Sequence, residues 1–198
     1  KEIEVSYRIG EKSIVSATLF HIDIINPIIY TSNSLVESYE NDARTGSMGV
    51  ETEYKYKSDK QNFTVNYSFY IPNNNKVDEF AVENHPQLLA AFPNHKVTAN
   101  YTLFFRKGFF VNVSGIFYSE RYGYDINDLL LRQKATLLAG CYLGYRNLFN
   151  ALDIGLGVND LLNEKYNFIQ AYRSGNAPLA GPGREIGLKI RYNINFQR

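Results

Sequence analysis

The feature that most constrains this chain is a strict alternation of apolar and polar residues, carried through segments about a dozen residues long. From Ile186 to Phe196 the even positions are Ile186, Leu188, Ile190, Tyr192, Ile194 and Phe196, and the odd ones are Gly187, Lys189, Arg191, Asn193 and Asn195. In a strand those two sets face opposite sides, one apolar and one polar. The same split sets Met48, Val50, Tyr54 and Tyr56 against Gly49, Glu51, Glu53 and Lys55, with Thr52 the exception. It sets Phe63, Val65, Tyr67, Phe69 and Ile71 against Thr64, Asn66, Ser68 and Tyr70, and Val97, Ala99, Tyr101, Leu103 and Phe105 against Lys96, Thr98, Asn100 and Thr102. Segments at 2–9, 13–27, 45–57, 62–73, 95–106, 108–119, 134–146, 151–163 and 184–196 therefore read as about nine strands, each near or above the ~9–11 residues that cross a bilayer at a tilt. In 13–27 the phase changes, from Val15, Ala17 and Leu19 to Phe20, Ile22 and Ile24, which predicts a bulge or a protruding strand end.

The connections alternate too. Gly10-Glu11-Lys12, Ser58-Asp59-Lys60-Gln61, Arg106-Lys107-Gly108 and Arg146-Asn147-Leu148-Phe149-Asn150 are short, whereas 28–44, 74–94, 120–133 and 164–183 are long. Short turns at one end and long loops at the other are the habit of transmembrane barrels. Aromatics near the strand ends (Tyr54, Tyr56, Tyr101, Phe105, Phe109, Phe117, Tyr145, Tyr192, Phe196) fit the girdles of such a barrel. The expected fold is all-β, an antiparallel transmembrane β-barrel portion. A soluble β-sandwich would alternate in the same way, but its strands usually run ~5–6 residues. A lipocalin-like barrel reverses the faces, which alternation alone does not see. Strand length and loop asymmetry favour the membrane.

Composition narrows the function classes. The 21 Lys and Arg residues against 20 Asp and Glu leave a net charge of +1, so no bulk charge steers the chain toward nucleic acid. Mean hydropathy is -0.31, and no apolar run approaches the ~20 residues of a spanning helix. Cys141 is the single cysteine, so neither an internal disulfide nor a cysteine-pair metal site is available. His21, His85 and His95 are too scattered for a ligand set, and His21 beside Asp23 lacks a matching nucleophile for a hydrolase. No cofactor, metal or enzymatic activity is expected. Asn62, Asn66, Asn100 and Asn112 head glycosylation-like triplets but fall within strands at the alternation period. Gly140, Gly144, Gly155 and Gly157 share the inward phase, leaving space in a lumen or for a plug.

Three segments resemble a known family. Pro93-Asn94-His95-Lys96 before Val97–Phe105 is similar to the Pro-x-His lead-in to a late barrel strand of TonB-dependent outer-membrane receptors. Val158-Asn159-Asp160-Leu161-Leu162-Asn163-Glu164-Lys165-Tyr166 resembles that family's Val-x-Asn-Leu-Phe-Asp-x-x-Tyr segment, with Leu162 where Phe is usual and Asn163 in place of Asp. Gly183-Arg184-Glu185 and the strand to Phe196 resemble its closing strand, here extended by Gln197-Arg198. Lys1-Glu2-Ile3-Glu4-Val5 already alternates, so the chain is expected to start inside a strand. Residues 1–198 are then expected to be the C-terminal part of a barrel of about 22 strands, with the plug domain and earlier strands upstream.

The resemblance implies a receptor in the bacterial outer membrane for energised uptake of a scarce nutrient, most often an iron-siderophore chelate. Its implied partners are outer-membrane lipid and the TonB complex, the latter reached through an N-terminal segment, with no nucleic acid. A passive porin-like channel or an adhesive barrel would share the strands and loop asymmetry, and remains the alternative. Loops on a rigid scaffold carry recognition, so the candidate cargo contacts are Tyr30, Tyr39, His85, Arg121, Tyr122, Tyr124 and Arg173. Aromatic and guanidinium groups suit a planar anionic chelate. The face assignment is testable in the full-length parent. Leu188→Arg should impair assembly strongly, since an arginine on the lipid face costs ~2–4 kcal/mol at midplane, while Lys189→Ala should be mild; equal tolerance in a folded-barrel mobility assay contradicts the faces.

Overall fold

The computed structural model describes residues 1–33, 36–171, 173 and 178–193; Phe196, the candidate terminal aromatic, lies outside them. In chain order the strands are β1 (Glu2–Ile9), β2 (Ser13–Ile25), β3 (Ile28–Asn33), β4 (Val36–Asn41), β5 (Arg44–Lys57), β6 (Gln61–Pro72), β7 (His95–Phe104), β8 (Phe109–Tyr118), β9 (Arg121–Tyr124), β10 (Leu130–Gln133), β11 (Thr136–Leu148), β12 (Leu152–Asn159), β13 (Asn167–Phe168), β14 (Leu179–Ala180) and β15 (Glu185–Tyr192). A 9-stranded open sheet runs β1-β2-β5-β6-β7-β8-β11-β12-β15, with every neighbouring pair antiparallel. These strands coincide with the segments marked by alternation. The pairs β3–β4, β9–β10 and β13–β14 are small hairpins inside the long connections. They are too short, and in β13 and β14 only 2 residues each, to impose a readable period.

Register explains why alternation was legible. Pairing links Val5, Ala17, Thr52, Tyr67, Val97, Phe117 and Leu137 into one row across the sheet, and links Glu4, Thr18, Glu51, Ser68, Lys96, Tyr118 and Thr136 into the next. Directly paired residues share a face. One row is largely apolar and the other polar, one residue out of phase. Cys141 falls on the apolar face, paired with Val113 and Val158.

The phase change in β2 is a protruding end rather than a bulge. Pairing with β5 runs unbroken from Ser13↔Tyr56 to Ile25↔Arg44, whereas β1 stops at Phe20 and β6 at Ser47. Beyond those points the β2–β5 ribbon extends past its neighbours, and Asp23 and Arg44 form an ion pair there. A register shift does occur in β11, between Tyr145 and Leu148 opposite β12. Asn147 takes a positive φ of 58° and donates its N–H to Asp153 Oδ1 at 2.8 Å.

Among the described residues no second layer covers the sheet. Ile3, Leu188 and Ile190 remain 64–69% exposed, while the buried apolar side chains Ile29, Val77, Val82, Ala90 and Tyr124 all belong to the long connections. Aromatic clusters mark both ends of the apolar face. Near the short turns, Phe63 lies 6.1 Å from Tyr54 and 6.4 Å from Tyr101 between ring centroids, and Tyr101 donates its O–H to Gln61 Oε1 at 2.8 Å. Near the long loops, His95 packs 4.9 Å from Phe69 and hydrogen-bonds Tyr67 Oη at 2.9 Å. The stretch from His95 to Tyr101 on β7 spans roughly 20 Å at ~3.3 Å per residue, of the order of the ~25 Å apolar band of outer-membrane barrels.

On the polar face the Tyr142 ring lies flat over β12. A Cβ placed on Gly155 would stand 1.8 Å from Tyr142 Oη, so only glycine admits the ring there. Gly155→Ala should therefore lower the thermal stability of the full-length protein by about 1–3 kcal/mol, the usual cost of overpacking. Adding Tyr142→Ala should cancel most of that loss in a double-mutant cycle; additive losses would show that the ring does not rest on Gly155.

Candidate functional site

The long connections at one end of the sheet pack into a cap, and its hub is Tyr124 on β9. The Tyr124 side chain is buried; its hydroxyl accepts the Glu83 N–H at 3.0 Å and donates to the Ala81 carbonyl at 3.1 Å. The Ala91 N–H donates to the Tyr122 carbonyl at 2.6 Å, and the His85 and Tyr122 rings lie 4.7 Å apart. These contacts join loop 74–94 to loop 120–133. Loop 164–183 joins through Arg173, whose guanidinium sits 4.3 Å over the Tyr124 ring and donates to Asp128 Oδ1 at 3.1 Å and Oδ2 at 3.3 Å. Gly123 lies against the same loop, since a Cβ there would come within 3.2 Å of Ile169.

Local sequence builds these supports. Asp125 Oδ1 accepts the N–H groups of Asn127 and Leu129, each at 2.8 Å, closing the β9–β10 hairpin as aspartate does in many turns. Glu120 and Arg132 form an ion pair across that hairpin, and hydrogen bonding from Arg132 holds the Glu120 carboxyl below its ordinary range. After β12, Asp160 Oδ1 accepts the Glu164 N–H at 3.0 Å, and Asn163 Oδ1 accepts the Arg184 N–H at 3.1 Å. Arg184 also donates to the Leu161 carbonyl at 2.9 Å, fixing the route by which the last long connection returns to β15.

The cap thus gathers His85, Arg121, Tyr122, Tyr124 and Arg173. Their surroundings differ. Tyr124 and Arg173 are engaged in holding loops together, whereas His85 and Tyr122 are half-buried. Tyr30 and Tyr39 pair with one another in the β3–β4 hairpin, 5.5 Å between centroids, and Tyr39 is 76% exposed. Arg121 lies 5.2 Å from the Tyr118 ring centroid, and burial pushes its guanidinium below its ordinary pKa. Its charge also bears on Tyr70 and Tyr166. Tyr70, Tyr118 and Tyr166 were not among the sequence candidates. Their signal was present, since Tyr70 is an aromatic in the polar phase of its strand.

Below the cap, charge divides the polar face. A groove of about 510 Å³ is lined by Glu2, Glu4, Glu51 and Glu53 together with Lys96, and another of about 250 Å³ by Arg146, Lys189 and Arg191 together with Asp153. Among the described residues no group of three or more His, Cys, Asp or Glu side chains is placed to hold a metal ion.

A family model described as "TonB dependent receptor-like, beta-barrel" matches residues 1–161. The chain belongs to this family. No curated protein matches it. Among solved structures, the fold is similar to the FrpB iron transporter from Neisseria meningitidis (TM-score 0.70, 20% identity), covering 96% of this chain and 30% of that one. It is also similar to the ferric-catecholate import receptor Fiu from E. coli (TM-score 0.75, 18% identity, 96% and 27% coverage). The pyoverdine outer membrane receptor FpvA from Pseudomonas aeruginosa gives a TM-score of 0.75 at 13% identity, with 98% and 29% coverage. The chain spans less than a third of the length of each of these three.

If Tyr124 is the hub, Tyr124→Phe should release loop 74–94 without unfolding the sheet. Losing both bonds of a buried hydroxyl costs about 1–3 kcal/mol, so amide exchange at Glu83 should accelerate while exchange in β6 and β7 stays slow. Unchanged exchange at Glu83 would remove Tyr124 from that role.

Proposed function

We propose that this chain is the C-terminal part of the barrel of an outer-membrane receptor that captures a scarce, bulky nutrient, an iron-siderophore chelate, and imports it with energy from the TonB complex. The observation that carries the reading is the family match over residues 1–161, joined to a fold similar to proteins described as an iron transporter, a ferric-catecholate import receptor and a pyoverdine receptor. Earlier strands of the same polypeptide pair with the free edges of β1 and β15, and a plug domain fills the lumen. The apolar face with its two aromatic rows meets lipid, the polar face lines the lumen, and the cap faces the outside.

In this arrangement the cap supplies the capture surface. Tyr30, Tyr39, His85, Arg121, Tyr122, Tyr124 and Arg173 act as the loop residues of that surface, Tyr124 and Arg173 by shaping it. Capture and passage are separate tasks, because binding alone moves nothing against a gradient. Cells carrying the full-length parent should accumulate labelled ferric-siderophore, and a protonophore should abolish accumulation while surface binding persists. Accumulation that survives the protonophore would instead assign a passive channel.

A further inference from the structure

The two ends of the sheet carry charge differently. At the long-loop end, Arg44, Arg132 and Arg173 are matched by Asp23, Glu120 and Asp128. At the short-turn end, Lys12, Lys57, Lys60, Arg106 and Lys107 are all exposed, and none of them forms an ion pair among the described residues. Glu11 and Asp59 are the carboxylates of these three turns, so cations prevail there. Backbone hydrogen bonds set the turns side by side. The Lys57 N–H donates to the Lys12 carbonyl and the Phe104 N–H to the Lys60 carbonyl, each at 2.8 Å, which brings turn 10–12 beside turn 58–61 and turn 58–61 beside turn 106–108. Arg146 stands apart from this row, because its guanidinium lies 4.6 Å over the Phe110 ring and lines the basic groove of the polar face.

The row of cations lies directly beyond the aromatic row of the apolar face. Tyr56 precedes Lys57, and Phe105 precedes Arg106 and Lys107; the exposed Phe105 ring lies 5.2 Å from Phe109 across the turn. The hydroxyls of Tyr54 and Tyr101 reach toward the turns, Tyr54 Oη lying 3.1 Å from Ser13 Oγ and Tyr101 donating to Gln61 Oε1. Rings with their polar tips at one edge of an apolar face mark the level where hydrocarbon gives way to headgroups. Lys and Arg stems run along such a surface and hold their charges in the headgroup layer, where they attract anionic lipid over a Debye length. We infer that turns 10–12, 58–61 and 106–108 form a docking surface for anionic phospholipid, taking the phosphodiester headgroups of the leaflet on the short-turn side. The inference rests on the reading that the apolar face meets lipid, and it adds which lipid. An acidic protein would match the same charges, but the aromatic row that runs straight into the cations favours a lipid.

Electron paramagnetic resonance on the full-length parent, reconstituted in phosphatidylcholine vesicles with a trace of spin-labelled lipid, tests this. Labelled phosphatidylglycerol should enter the motionally restricted shell around the protein severalfold more readily than labelled phosphatidylcholine, and sodium chloride should erase the preference. The triple variant Lys60→Gln, Arg106→Gln, Lys107→Gln should bring the two lipids close to parity. Lys76→Gln, Lys134→Gln, Lys165→Gln, which removes as many exposed charges from the long connections, should keep the preference of the parent; unchanged heat-modifiable mobility shows that both variants fold. Equal shells in the parent, a preference that salt leaves intact, one that the rim variant retains, or a loss shared equally by the long-loop variant overturns the docking surface. So does erasure by inorganic phosphate where sodium chloride of equal ionic strength has no effect, which would indicate a phosphate-ion site. Equal shells together with loss of protonophore-sensitive uptake in the rim variant would assign the surface to an acidic protein instead. A restricted shell without lipid preference fails this proposal alone, whereas no restricted shell for either lipid also fails the reading that the sheet meets lipid.

Discussion

The backbone hydrogen-bond ladder between neighbouring strands carries this molecule. In most folds a buried core supplies the main driving force and the ladder satisfies polar groups on the way. Here, among the described residues, the sheet has one layer, and its apolar side chains such as Leu188 and Ile190 stay exposed. The ladder is then what fixes the position of each strand, and it is worth most where water cannot compete for the N–H and C=O groups. That dependence explains the length of the paired runs, among them the unbroken β2–β5 register. β1 and β15, the outer strands of the sheet, each pair on one side only among the described residues.

A second, much smaller organisation sits on top of the first. The cap is held as a soluble domain would be, by buried side chains such as Val77 and Tyr124, by hydrogen bonds to a single hydroxyl, and by ion pairs. Sheet and cap thus use different physics. The wall spreads its cohesion along long paired strands, whereas the cap concentrates its own in few contacts. Loop 120–133 contributes to most of them, through Tyr124, Asp128 and the Glu120–Arg132 pair, and so is the structural keystone of the cap.

The wall was legible from the amino-acid order because a strand repeats every two residues and its two faces meet different surroundings. Glu4 and Val5, or Lys96 and Val97, announce their faces without reference to any other strand. The β2 end was legible as an anomaly, but only the continuous register settled it as a protruding ribbon. The cap was not legible in the same way. Nothing local to Tyr124 says that its hydroxyl meets Ala81 and Glu83, more than forty positions earlier. Contacts between loops depend on where the wall delivers their ends. Alternation gives the wall and is silent on the rest.

Cys141 shows how useful the wall's regularity can be. It is the single thiol of the chain, and it stands on the apolar face between Val113 and Val158, well inside β11 rather than at either rim. A nitroxide attached there would project from the apolar face, opposite the polar face that carries the glycine-backed Tyr142 ring. Its paramagnetic relaxation by dissolved oxygen, compared with that by a water-soluble nickel chelate, would report whether that face meets lipid, as proposed, and at what depth. The molecule therefore carries its own depth gauge at a position whose neighbours are already known.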